Sequence, residues 1–254
     1  MRIYSNAYEL MSETGRNLYE MGITVKPRFY QNQCIEDNPQ FETKELEAEQ
    51  YTLLDLPDPH LLMTYTSSGE WVEKEFEERV SGFRRNPGEA WKLRKEVWEE
   101  FLNRKGRFDY SYPERINRLI TYRGTLLSQL NGVIQLLKDD PDTRKAILSI
   151  YDTAIDSNFY DGSRRIPCSM YYNFMIREVP GTNNKVQLNL HYHQRSADFI
   201  THFGNDVYLA WKLLEYVSDH LKVQRGYLVH CIDSLHVYKK DWETLKTSFA
   251  HFIQ

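Results

Sequence analysis

Residues 187–206 read QLNLHYHQRSADFITHFGND, and the rest of the chain is read outward from this stretch. Through residues 187–193 polar and apolar side chains alternate, the period of a half-buried strand. That strand runs into Gln194-Arg195-Ser196-Ala197-Asp198, a cluster of donors and acceptors at a strand end. From Val207 to Leu221 apolar residues recur at helical spacing. A strand end that passes into a helix start is where α/β chains place anion-binding and ligand-reading groups. Asp206 sits at that helix start, either as its N-cap or as an acceptor turned towards a ligand.

The chain has 254 residues, 41% of them apolar, with 18 Tyr and 5 Trp. It is long enough to bury a substantial core. Acids and bases are interspersed at a net charge of −4, with no basic stripe of the kind that coats nucleic acid. No apolar run reaches the length of a membrane span, and MRIYSNAYELMSE lacks the apolar centre of a signal peptide. A cytoplasmic location is the expectation. Three cysteines, at 34, 168 and 231, make no disulfide framework, and neither CxxC nor HExxH is present to suggest zinc.

Residues 3–21 read as an amphipathic helix ended by Gly22, and 23–35 as a β-prone piece broken at Pro27 between Lys26 and Arg28. Short β-like pieces fall at 50–54 and 61–66. Helices are expected over 70–83, 87–104 and 115–138, the last interrupted by glycines. PDTRK (141–145) is a turn bearing Arg144 and Lys145, and 146–152 a strand. A loop from 162 carries Arg164, Arg165 and Cys168 into another strand. VPGTNN (179–184) turns a hairpin back into 187–193. Residues 226–238 form a strand-loop unit, and 242–252 a closing helix. No repeat and no linker stands out, so the pattern gives one α+β domain, a mostly antiparallel or mixed sheet covered by helices.

Cys168 follows two arginines in RRIPC, a setting that lowers a thiol's pKa and raises its thiolate fraction. Lys26, Arg144, Lys145 and Arg195 fall in turns or at strand ends, where several cations can grip one phosphate, and Ser196 adds a hydroxyl. Neither GxxxxGK[ST] nor GxGxxG occurs. His236 and Tyr238 alternate along a strand and share a face, either as core residues or as partners of a sugar hydroxyl.

Together, PDTRK, IPCS, QRSAD and LHVY resemble, in order and spacing, the motifs of the thymidylate synthase family. The likeness is close over residues 140–242 and loose before them. It implies the thymidylate synthase fold and a one-carbon transfer from 5,10-methylenetetrahydrofolate to C5 of a pyrimidine nucleotide. By that resemblance Cys168 would add to C6, making C5 nucleophilic. Arg195 and Ser196 would hold the 5′-phosphate, with Arg144 and Lys145 lent by the partner of a homodimer. Lys26, or alternatively Arg28, would be a cation on a mobile phosphate loop. His236 and Tyr238 would bind the sugar, Asp198 would face the folate, Glu75 would order water and move protons, and Tyr112 would stand near the base.

One departure bears on the substrate. Where the synthases carry an asparagine that reads uracil, eight residues after the QRSxD aspartate, this chain has Asp206. A carboxylate accepts from the 4-amino group of cytosine, and meets O4 of uracil acceptor to acceptor. Together with Ser169 after the nucleophile, this resembles the hydroxymethylases of deoxycytidylate, which add water where a synthase transfers hydride. Lys145 and Ala197 keep CMP open as a substrate beside dCMP. Thymidylate synthase action on dUMP and an inactive nucleotide-binding family member are the alternatives.

Overall fold

The structure, a computed structural model, describes residues 2–30, 33–63, 69–157, 165–182 and 185–249. The chain begins with a short strand, β1 (Arg2–Tyr4), where a helix is expected from the periodicity. Asn6 is the reason: its side chain accepts from the Glu9 N–H at 3.0 Å and so starts α1 at Ala7 (Ala7–Met21). Leu10, Met11, Thr14 and Leu18 form the buried stripe of α1. The β-prone piece becomes β2 (Ile23–Val25), β3 (Phe29–Tyr30) and β4 (Gln33–Cys34). The expected strand at 50–54 is the end of a longer one, β5 (Thr43–Leu53). Of the expected strand at 61–66, residues 61–63 belong to a helical turn, α2 (His60–Met63), and 64–66 lie outside the described residues.

Helix α3 (Gly69–Val80) agrees with the sequence, but the helix expected over 87–104 breaks into 3₁₀ turns around α4 (Lys95–Trp98). The buried Glu78 carboxylate accepts from the N–H groups of Glu89 and Ala90 at 2.7 and 3.2 Å. Arg94, at φ −138°, then interrupts the helical path. The helix expected over 115–138 is likewise two pieces. After α5 (Tyr112–Ile116), Arg123 and Gly124 both take positive φ, 47° and 82°, and close a tight hairpin between β6 (Leu119–Tyr122) and β7 (Thr125–Ser128). Ser128 caps the true helix, α6 (Gln129–Asp139).

The second half of the chain carries β8 (Ile147–Ser149), α7 (Thr153–Asp156), β9 (Ser169–Glu178), β10 (Val186–Gln194), β11 (Ala197–Asp198), α8 (Gly204–Leu221), β12 (Gln224–Tyr238) and α9 (Trp242–Phe249). The expected strand-loop at 226–238 is one continuous strand. Residues 250–252 of the expected closing helix lie outside the described residues, as does Arg164.

Among the described residues, eight strands make one mixed sheet whose main path runs β1-β5-β12-β10-β9-β8, with β11 on β12 and β2 on β5. Strand β12 is its axis, antiparallel to β5 and parallel to β10 and β11. Helix α8 lies over the sheet and buries Val207, Trp211, Leu214 and Val217 among Tyr172, Phe174, Leu190 and Leu228. This is the mixed sheet covered by helices that the sequence pattern implies.

One hinge in this sheet positions everything that follows. The pairing of β10 with β9 shifts between His193 and Gln194, so the chain leaves that ladder at Arg195 and Ser196. It is taken up two residues later by the far end of β12, with Ala197 opposite Leu235 and Asp198 opposite His236. Asp198 Oδ1 then accepts from the N–H groups of Ile200 and Thr201, both at 3.1 Å, and starts a π-helical turn, residues 199–203, that leads into α8. A β-carbon at Gly204 would collide with the Leu62 carbonyl, so glycine lets α8 begin against α2.

Candidate active site

A cavity of about 390 Å³ opens between the ends of β9–β12, the start of α8, and α3 with α5. That volume lies within the range of roughly 300–1,000 Å³ usual for small-molecule sites. Its lining includes Glu75, Tyr112, Cys168, Arg195, Ser196, Asp198, Asp206, His236 and Tyr238. The structure thus brings together nine of the twelve residues singled out in the sequence. Lys26, Arg144 and Lys145 are not brought in. Lys26 is exposed and lies 3.5 Å from Glu42, and Arg28 pairs with Glu36 at 3.3 Å. Their segment reaches the cavity through the rings of Phe29 and Tyr30 instead. Arg144 and Lys145 stand exposed on the turn before β8.

Cys168 sits where the chain enters β9, and Arg195 is wrapped around that entry. The Arg195 N–H donates to the Cys168 carbonyl at 2.9 Å, Nε to the Pro167 carbonyl at 2.9 Å and Nη2 to the Ile166 carbonyl at 3.0 Å. This places Nη2 3.8 Å from Cys168 Sγ. The cation beside the thiol is therefore Arg195, ahead of the Arg165 expected from the sequence. The expected direction is also reversed: burial pushes the Cys168 thiol up, with Arg195 opposing and Asp206 adding to the rise. Arg165 is buried against the rings of Phe101, Trp98 and Tyr110, its guanidinium 4.1 Å from the first.

Asp206 is not the helix cap, since Asp198 fills that role two turns earlier. Its carboxylate lines the cavity, and Oδ2 accepts from Gln194 Nε2 at 2.9 Å. Burial pushes Asp206 up to about 6, against the Gln194 hydrogen bond and the Arg79 charge. Glu75, from α3, accepts from Arg79 Nε at 2.9 Å, and burial raises its pKa in spite of that partner. Arg79 also stacks 4.2 Å over the Tyr112 ring. Ser169 Oγ donates to Tyr112 Oη at 3.2 Å and shares a 2.6 Å hydrogen bond with Tyr192. His236 and Tyr238 meet edge to face, centroids 5.1 Å apart, as their alternation on one strand requires.

Sequence reasoning gives no site role to Arg79, to Gln194 within its strand-end cluster, or to the aromatic wall of Trp71, Trp91, Trp98 and Phe108. The i,i+4 spacing of Glu75 and Arg79 on a helix was a usable signal. Trp71 stacks on Trp98 at 6.3 Å and 17°, while Trp98 and Phe108 tilt together at 6.2 Å. These rings offer a broad apolar face suited to a flat heteroaromatic ligand.

The fold has a solved counterpart. The structure superposes on a thermostable thymidylate synthase A from Bacillus subtilis with a TM-score of 0.71, covering 95% of this chain and 83% of that one at 14% identity. A family model described as "Thymidylate synthase" matches residues 75–251. The chain belongs to the thymidylate synthase family. Among its relatives, a putative thymidylate synthase of Methanosarcina barkeri is 29% identical over 139 residues, 55% of this chain and 57% of that protein. A deoxyuridylate hydroxymethyltransferase of Bacillus phage SP01 is 32% identical over 116 residues, 46% of this chain and 28% of that protein. The matched stretch thus spans little more than half of the archaeal relative.

Proposed function

We propose that the protein is a folate-dependent hydroxymethylase of cytosine nucleotides, acting on dCMP or CMP. The observation that carries this reading is Asp206: a carboxylate in the cavity wall, with Oδ2 held by Gln194, where a synthase presents an amide. Acting as acceptor, it pairs with the 4-amino group of cytosine and leaves O4 of uracil facing an acceptor. Methylenetetrahydrofolate, when bound against the tryptophan wall, supplies the one-carbon unit. Asp198, which spends one oxygen on its cap, would stand on the folate side.

The chain's own groups then have these tasks. Cys168 loses its proton and adds to C6 of the ring, which makes C5 the nucleophile. Arg195 and Ser196 take the phosphate, and His236 and Tyr238 the sugar. Once C5 has given up its proton and the carbon newly attached there has parted from the folate nitrogen, Glu75, oriented by Arg79, holds a water and takes its proton as the oxygen bonds to that carbon. Expulsion of the Cys168 thiolate restores the ring. No hydride moves, so tetrahydrofolate rather than dihydrofolate is the co-product. Arg144 and Lys145, exposed on their own chain, would complete the phosphate site of a second copy in a homodimer.

A second reading, action on dUMP, is favoured by the names of the archaeal and phage relatives. One assay separates the two. The protein is incubated with methylenetetrahydrofolate and CMP, dCMP or dUMP, the products are weighed by mass spectrometry, and dihydrofolate absorbance is followed. The expected result is a hydroxymethyl product from a cytosine nucleotide without dihydrofolate. Turnover of dUMP alone, or a rise in dihydrofolate, would overturn the proposal.

A further inference from the structure

Behind Asp206 a line of polar groups runs through the middle of the sheet. Gln194 of β10 donates from Nε2 to Asp206 Oδ2 at 2.9 Å. Its Oε1 lies 2.8 Å from His230 Nε2 on β12, and His230 Nδ1 lies 2.8 Å from the Tyr51 hydroxyl on β5. Gln194, His230 and Tyr51 are each 0% exposed. The His230 ring is stacked on Tyr192 at 4.4 Å and 13°, and runs parallel to Phe203 on the other side. Packing alone would be met by a phenyl ring at this position. The two ring nitrogens each find a polar partner.

The hydrogens of this relay admit two consistent arrangements. Burial pushes the pKa of His230 down to about 3, so the ring is neutral and carries one proton. If Asp206 is a carboxylate it has no proton to give, and Gln194 must face it with its NH₂ group. Gln194 Oε1 then faces Nε2, which must carry the proton, and Nδ1 accepts from Tyr51. In the reverse arrangement Asp206 is protonated and donates to Gln194, the amide is turned over, and His230 donates from Nδ1 to Tyr51. The Tyr51 proton would then need a second acceptor inside the core, so Tyr51 favours the first arrangement.

The two arrangements present different groups to the cavity. In the first, Asp206 is acceptor only, complementary to an amino group. In the second its one proton is spent on Gln194, so the cavity meets a neutral carbonyl oxygen, a weaker acceptor for an amino group and a weaker repeller of a carbonyl. We propose that His230 is a positioning residue for base specificity: through Gln194 it holds Asp206 as the acceptor that selects cytosine over uracil. This rests on the reading of Asp206 as the base reader.

The test compares the affinities of CMP, dCMP, UMP and dUMP by calorimetry in the wild type and in His230→Phe, which keeps the ring stack and removes both nitrogens. Loss of a hydrogen bond to a charged group's partner corresponds to about tenfold or more. The ratio of cytosine to uracil affinities therefore falls about tenfold or more, and His230→Gln, with a donor near the position of Nε2, recovers part of it. Parallel weakening of all four nucleotides would mark a merely structural role and overturn the proposal. Tyr51→Phe removes only the outermost donor and shifts the same ratio in the same direction by less, so an unchanged ratio there also overturns it. ¹⁵N shifts of the His230 ring report the Nε2–H tautomer in the unliganded protein, and a Nδ1–H tautomer sinks the relay whatever the substrate is. A wild type without cytosine preference sinks the reading of Asp206 itself. A wild type with that preference, retained in His230→Phe, sinks only the relay.

Discussion

Asp206→Asn is the most informative single substitution, because it changes one atom in the cavity wall and leaves the shape alone. The new side chain keeps an oxygen for Gln194 Nε2, now 2.9 Å from Oδ2, and turns an NH₂ donor towards the cavity. With cytosine, a charge-assisted hydrogen bond worth about 1.5–3 kcal/mol is lost; with uracil, an acceptor-to-acceptor contact costing about 1–3 kcal/mol is relieved. The two effects together move the preference by roughly 3–4 kcal/mol, about two to three decades in the ratio of kcat/KM values. Competition between dCMP and dUMP, with products separated by mass, reads that ratio directly. The same substitution tests the burial of the acid. Asp206 is raised from 3.8 to about 6, so the folded protein binds its proton more tightly than the unfolded chain does, and ionisation costs stability as the pH rises between those values. That loss is on the order of 3 kcal/mol, and the amide escapes it. The variant should be the more stable protein at pH 8 and have no advantage below about pH 4, by thermal melting. An unchanged base preference, or a melting difference that does not depend on pH, would refute the placement of a buried base-reading carboxylate.

Other substitutions address the remaining parts of the site. Cys168→Ala should abolish product formation and leave nucleotide binding by calorimetry within a few-fold of wild type; retained turnover would remove the thiol from the chemistry. Arg79→Met leaves Glu75 buried without its ion partner and should cost about 3–5 kcal/mol of unfolding free energy in urea. A loss below about 1 kcal/mol would mean that Glu75 simply takes up a proton. Arg144→Ala and Cys168→Ala, each inactive alone, should regain activity when unfolded and refolded together, because a mixed dimer holds one intact site. No recovery would argue against sharing of Arg144 between chains.

Much of the second half of the molecule was legible in sequence, and the reason is local. Strand β10, the hinge Arg195-Ser196 and helix α8 each carry their own period, and Cys168, His236 and Tyr238 fall on elements with strong alternation. Two departures share a cause. The helices expected at 87–104 and 115–138 rest on hydrophobic spacing, but tertiary contacts or single backbone positions decide them. The Glu78 carboxylate reorganises residues 89–90, and the positive φ of Arg123 turns a helical-looking stretch into a hairpin. The thiol's pKa was misjudged for a related reason. Neighbours in sequence promised a lowered value, whereas burial in the fold raises it and Arg195, from another strand, is the cation that opposes the rise. The role of Gln194 is not legible because a glutamine in a polar strand end carries no function until its partner across the cavity is known, whereas the Glu75–Arg79 pair is readable from its i,i+4 spacing.

The charge distribution explains why these details matter together. Glu75, Cys168 and Asp206 all titrate upward, each chiefly through burial, so the empty-handed cavity resists taking on negative charge. Arg79 offsets part of this at the Glu75 and Asp206 end, and Arg195 at the Cys168 end. Under the proposed function a nucleotide would add its phosphate at the latter end, where Arg195 has already committed Nε and Nη2 to the carbonyls that hold the cysteine loop. Further cations would be needed there, and those the sequence singles out, Arg144 and Lys145, stand exposed on a turn outside the lining of their own cavity. A site that had to share one arginine between its nucleophile and its phosphate would gain most from cations supplied by a second chain. On this electrostatic ground the proposed homodimer would belong to the chemistry as well as to the assembly.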